Sequence, residues 1–172
     1  GTKSNTTPRG SYLDALNPLT VTLGIQNVSF VAQAVDWIPE SLFQIMTAAF
    51  RHRGFSLVRI LQRCPEFMPK AFDPWLHDPQ RTMLLTHADG LQLSPGLSSA
   101  YRNQREHDPI DIDRAREIAS LDDPIPVGIL YRNPDAPCYE DLRHPGQLRS
   151  PATIRSGLNR EFDKYTVWPD DE

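Results

Sequence analysis

The chain has 172 residues, 23% charged and 39% hydrophobic. That composition suits an ordinary folded protein, with material for one domain or one domain and an appendage. A formal charge of −4 argues against nucleic acid as a partner, because neutralising a phosphate backbone needs a concentrated basic surface. No apolar run approaches the roughly 20 residues that span a bilayer, and no charged-then-apolar leader opens the chain. Two cysteines are too few for a disulfide framework, and the cytoplasm is the expected compartment.

Gly1 to Gly10 is a polar loop with no element before it. Asn17-Pro18 predicts a helix start, with asparagine as the cap and proline at the first helical position. The helix it opens is short, ending near Asn27. Ser29 to Ala34 is rich in β-formers and predicts a strand. Pro39 opens a second helix reaching Arg53, on which Leu42, Phe43, Met46, Ala49 and Phe50 recur at helical spacing and predict the packed face. Gly54 is placed to stop it, and Phe55 to Leu61 predicts a second strand. A strand–helix–strand unit with such short connections is most simply a right-handed parallel crossover of an α/β sheet. Two strands do not bury a sheet face, so further strands are expected upstream of Gly1.

Prolines 65, 69, 74, 79, 95 and 109 punctuate the next stretch, which predicts mostly ordered loop pinned by Phe67, Phe72, Trp75 and Leu76. Thr82 to Thr86 is a short apolar piece within it. Asp111 to Ser120 predicts a modest helix, Pro126 to Tyr131 a strand, and Ser150-Pro151 the start of a last helix. The tail, Trp168 to Glu172, is expected to fray. The expected division is therefore a sheet portion, 1–66, and an extended region, 67–172, docking on that domain or on a partner.

Cys64 is the residue that points to chemistry. It follows a parallel strand, at the carboxyl edge where ligands of open α/β sheets gather, and Pro65 fixes the backbone beyond it. A thiolate there suits a metal, although by position alone a buried small hydrophobe is the simpler reading. One cysteine does not hold a cluster, so other ligands would come from elsewhere. Cys138 sits in a proline-rich turn and reads as a structural or surface thiol. His52, His77, His87, His107 and His144 show no zinc spacing, and surface or capping roles are expected for them. Ala88-Asp89-Gly90 lacks the strand and the later asparagine of a thiamine-diphosphate motif. His107 to Asp113 reads as a hydrated acidic turn.

In order, Gly1-Thr-Lys-Ser-Asn-Thr-Thr-Pro, Asn17-Pro18, Phe30-Val-Ala, His52-Arg-Gly-Phe55 and Leu61-Gln-Arg-Cys-Pro65 resemble beta subunits of 2-oxoacid:ferredoxin oxidoreductases. Asp123-Pro-Ile-Pro-Val-Gly-Ile-Leu-Tyr-Arg132 and Cys138-Tyr-Glu140 extend the resemblance to about residue 145. Arg63 departs from it, standing where the Gln-Pro-Cys-Pro-like signature has proline. The resemblance implies an α/β fold: the carboxy-terminal part of a thiamine-diphosphate-binding parallel-sheet domain, with a long proline-rich, mostly irregular extension and a C-terminal helix. It implies a 2-oxoglutarate-type enzyme in which thiamine diphosphate and Mg2+ support decarboxylation. Electrons would leave through a [4Fe–4S] cluster to ferredoxin, and coenzyme A would take the acyl group. An alpha subunit is the implied partner, and no nucleic acid or membrane. Cys64 matches the family's fourth cluster ligand, while the diphosphate and magnesium ligands are expected upstream of Gly1. No catalytic residue is assigned to this chain. A pyruvate or other 2-oxoacid member remains open, as does a non-catalytic interaction module.

Overall fold

The computed structural model describes residues 3–4, 6–143 and 150–167. They group into two units, residues 1–137 and residues 138–172. In the first unit the chain runs α1 (Pro18–Leu23), β1 (Phe30–Val35), α2 (Pro39–Arg51), β2 (Ser56–Leu61), α3 (Asp73–His77), β3 (Thr82–Thr86), α4 (Pro95–Ala100), β4 (Gln104–Glu106), α5 (Ile112–Ala119) and β5 (Ile125–Arg132). The second unit holds α6 (Tyr139–Arg143) and α7 (Pro151–Asp163). The tail from Trp168 to Glu172, expected to fray, lies outside the described residues.

The five strands form one mixed sheet in the order β2-β1-β5-β3-β4. β1 and β2 are parallel, in register from Phe30 with Ser56 to Val35 with Leu61, and α2 crosses between them as the sequence predicts. β3 is parallel to both β4 and β5. The join between the halves is antiparallel, β1 against β5, from Phe30 with Arg132 to Gln33 with Gly128.

The sheet is covered on both faces. Leu19 and Leu23 of α1 and Ala115, Ile118 and Ala119 of α5 pack on Val31, Leu85 and Leu130. On the other face Ile38, Ile45 and Leu91 pack on Phe30, Ala32, Leu84, Val127 and Ile129. β1 is buried along its whole length, as a central strand between two helical layers must be. Each fully buried leucine, isoleucine, valine or phenylalanine here contributes about 1.5–3 kcal/mol relative to exposure, and the alanines less. The two helices of the first face are tied together at their ends. Asn17 accepts the N–H of Leu19 at 3.0 Å as the α1 cap and donates its amide to Ala119 O at 2.8 Å.

Two expectations need correcting. The stretch expected to be mostly loop contributes β3 and β4 to the sheet, together with α3 and α4, while α5 forms where a helix was expected. Its prolines open elements instead of breaking them, since Pro74, Pro79 and Pro95 all stand in first turns, where the missing N–H costs nothing. The packed face of α2 also differs. It buries Ser41 and Ile45, with Leu42, Ala48 and Ala49 alongside. Phe43 and Phe50 face outward instead, 72% and 91% exposed.

Candidate functional site

The antiparallel join gives this sheet two carboxyl edges. β1 and β2 end at one, where β3 and β5 begin; β3, β4 and β5 end at the other.

Cys64 lies at the first edge, three residues past β2, and its thiol is half-buried. The backbone turns tightly around it. Met68 donates its N–H to Cys64 O at 3.2 Å, and Phe67 donates its N–H to Cys64 Sγ at 3.4 Å. The N–H groups of Phe67, then Glu66, hold the thiol below its usual pKa, against a smaller opposing effect of burial. Backbone donors converging on sulfur are what a metal-bound thiolate needs, because they stabilise its negative charge and tune the metal's potential. An aromatic cluster stands past the end of β1. Trp37, two residues past the end of β1, packs on Phe72 with ring centroids 5.2 Å apart; Phe72 meets Trp75 at 6.1 Å. The Arg81 guanidinium lies over Trp75 at 5.2 Å and grips Asp123 through both Nε and a terminal nitrogen, the shorter bond 2.6 Å.

The donor set fits the donation of one sulfur to a shared cluster and does not fit holding one alone. Cys138 belongs to the other unit, its Sγ donating to Glu140 at 2.9 Å. Among the described residues no group of three or more His, Cys, Asp or Glu side chains is placed to hold a metal.

The second edge carries a cluster that sequence reasoning missed. Asp89, just past β3, accepts from Arg132 at the end of β5 at 2.6 Å and meets His87 Nδ1 at 3.0 Å. Arg132 first, and His87 second, hold the Asp89 carboxyl down to about 2. His107 is buried behind them, 3% exposed, with Nε2 on Leu130 O; since a carbonyl only accepts, Nε2 carries the proton. His52 stacks on Phe30 at 5.3 Å, and burial, then Arg132, keep its pKa below the ordinary value. His107 is therefore buried and His52 and His87 half-buried where surface or capping roles were expected, whereas His77 is exposed and bonded to Asp73 O at 2.7 Å. His144 lies outside the described residues. The partners here are 43 residues apart for Asp89 and Arg132, so no local motif announces them. The acidic turn does behave as read: Asp108 accepts the Ile110 N–H and Asp111 caps α5.

The Asp89 cluster makes a pH prediction. A carboxyl held below its unfolded value of about 3.9 stabilises the fold above that pH. The contribution is lost as pH falls from about 4 through about 2. Asp89→Asn should lower Tm modestly at pH 6, because Asp89 is 67% exposed and screened, and the two melting curves should converge by about pH 2. A difference that persists undiminished to that pH would contradict the ion pair.

Residues 98–146 match the family described as the C-terminal part of the pyruvate ferredoxin oxidoreductase beta subunit. Over 73 residues the chain is 40% identical to 2-oxoglutarate oxidoreductase subunit KorB of Mycobacterium tuberculosis, covering 42% of this chain and 19% of that one. A 2-oxoacid:ferredoxin oxidoreductase beta subunit of Aeropyrum pernix is 26% identical over 99% of this chain and 52% of its own length. Among solved structures, the 2-oxoglutarate:ferredoxin oxidoreductase of Magnetococcus marinus, with 2-oxoglutarate, coenzyme A and succinyl-CoA bound, superposes with a TM-score of 0.58. It is 24% identical over 89% of this chain and 47% of that one, which establishes a shared fold. The chain spans about half, or less, of the length of the relatives it matches. By these matches the chain is similar to the carboxy-terminal region of the beta subunits of 2-oxoacid:ferredoxin oxidoreductases.

Proposed function

We propose that this chain works within a 2-oxoglutarate:ferredoxin oxidoreductase, which converts 2-oxoglutarate, coenzyme A and oxidised ferredoxin to succinyl-CoA, carbon dioxide and reduced ferredoxin, or runs the reverse carboxylation. Within it the chain forms one wall of the cofactor site, in the cytoplasm and beside an alpha subunit. Its own chemical contribution is the Cys64 sulfur. The observation that carries this reading is the seat around that sulfur, at the carboxyl edge of two parallel strands with backbone N–H groups turned towards it.

Thiamine diphosphate with Mg2+, when bound, supplies the electron sink for decarboxylation; its ligands belong to sequence outside this chain. Cys64 would hold a thiolate to a [4Fe–4S] cluster, with the Phe67 N–H donating to its sulfur.

The test is the intact enzyme with 2-oxoglutarate, pyruvate and a branched-chain oxoacid, each with coenzyme A and a viologen as electron acceptor. Reduction with 2-oxoglutarate at about 100 times the rate with the other two, or more, is expected, a discrimination of at least ~2.7 kcal/mol. Preference for pyruvate would favour the second reading, that of the enzymes after which the matched family is named. No oxoacid-dependent reduction at all would leave a binding module.

A further inference from the structure

Cys64 stands between two backbone restraints of different origin. After it, Pro65 fixes φ by its ring. Before it stands Arg63, which has no such ring, and there the restraint is a side chain from the neighbouring strand. Asp36 follows the last residue of β1, and its N–H donates to Leu61 O at 3.1 Å, adding one rung beyond the paired strands. Its carboxylate then closes over the next segment. One oxygen accepts the Arg63 backbone N–H at 3.1 Å, and the other accepts Arg63 Nε at 2.9 Å.

We propose that Asp36 is a positioning residue for the Cys64 sulfur: with Arg63 it forms a clamp that fixes the backbone entering Cys64, as Pro65 fixes the backbone leaving it. This rests on the reading of Cys64 as a cluster ligand. As an ion pair alone the contact would contribute little, since Arg63 is 49% and Asp36 24% exposed and exposed pairs are weak. Its weight comes from the second arm. A carboxylate on a backbone N–H is charge-assisted and directional, and both arms reach the same residue from one rigid strand end. The loop is thereby ordered before any metal arrives, so binding does not have to supply that entropy. Two arms also make the clamp separable by mutation. Arg63→Ala removes the guanidinium and keeps the backbone bond; Asp36→Asn keeps one oxygen acceptor and loses the charge; Asp36→Ala removes everything.

The experiment uses the full-length protein and Cys138 as its internal reference. In metal-free protein, the rate of Cys64 alkylation by iodoacetamide is measured against that of Cys138 by peptide mass spectrometry. In the loaded protein, iron per chain and the electron paramagnetic resonance spectrum of the reduced cluster are recorded. Asp36→Ala should raise the Cys64-to-Cys138 ratio about fivefold, the scale of losing one hydrogen bond's restraint, and should shift or broaden the cluster signal. Arg63→Ala and Asp36→Asn should fall between parent and Asp36→Ala. An unchanged ratio in Asp36→Ala would overturn the proposal, and so would an Arg63→Ala effect equal to that of Asp36→Ala. Should Asp36→Ala fail to fold, the other two decide, and parent-like ratios in both would overturn the clamp. Full iron in Cys64→Ser would instead remove the ligand reading and leave the alkylation result standing, so the two failures are distinguishable.

Discussion

Cys64→Ser in the intact enzyme is expected to lose most of one cluster's iron and to slow oxoacid-dependent reduction by at least about tenfold. A tenfold loss corresponds to only ~1.4 kcal/mol of transition-state stabilisation, well below the consequence of a missing ligand. Serine keeps the size of the side chain but offers a harder, more basic oxygen, a poor match to a cluster that prefers thiolate. The backbone donors of the 64–68 loop would remain and would have no thiolate charge to stabilise. Binding of thiamine diphosphate and Mg2+ should survive, because no ligand to either is proposed in this chain. Cys138→Ser should leave both iron and rate unchanged, since that thiol bonds only locally, to Glu140. Iron analysis and the viologen assay on both variants check the result; full iron and full rate in Cys64→Ser would return the residue to a packing role.

Gly128→Ala is expected to be the most damaging conservative change to the fold. Gly128 lies in β5 opposite Gln33 of β1 with φ of +143°, a region that L side chains rarely enter. A methyl group there would sit 2.8 Å from Leu85 Cβ and 3.1 Å from Leu85 O, and Leu85 is fully buried. Backbone strain of roughly 1–3 kcal/mol adds to overpacking of similar size, giving about 2–5 kcal/mol. For a protein of this size that lowers Tm by about 5–15 °C. Thermal unfolding of the full-length protein followed by circular dichroism would show it. A shift under about 2 °C would mean that β3 moves aside at little cost.

The sequence announced local things and hid distant ones. β1, α2 and β2 were legible because each has a strong pattern of its own and the connections between them are a few residues long. β3 and β4 were not, because proline density masks short strands, and nothing in Thr82 to Thr86 distinguishes a buried strand from a pinned loop. The direction of β5 was illegible for a different reason: an isolated apolar run has no polarity until it finds neighbours. On α2, the spacing that joined Leu42, Phe43, Met46 and Phe50 covered two sides of the helix, and Ser41, a buried polar residue, marked the inner one. At the candidate site, Cys64 could be picked out by its place after a strand and before a proline. Asp36 could not, since its partner Arg63 lies 27 residues away and an aspartate after a strand reads as a turn residue. The Asp89, His87 and Arg132 group is hidden for the same reason.

The reversed join between β1 and β5 also bears on which parts of the chain are free to vary. The stretch after β3, residues 87–94, leaves the sheet at the edge opposite Cys64, about 20 Å away across strands of five or six residues at ~3.3 Å each. Changes of length in residues 87–90 alter the surroundings of Asp89 and Arg132, whereas Gln92 and Ser94 further on are tied to Gln44 and Glu40 of α2. Loop lengthening is also cheap, costing only about 0.6 kcal/mol per doubling. An insertion of a few residues after Ala88 should therefore leave the Cys64 loop intact, whereas one of the same length between Gln62 and Cys64 would displace the thiol.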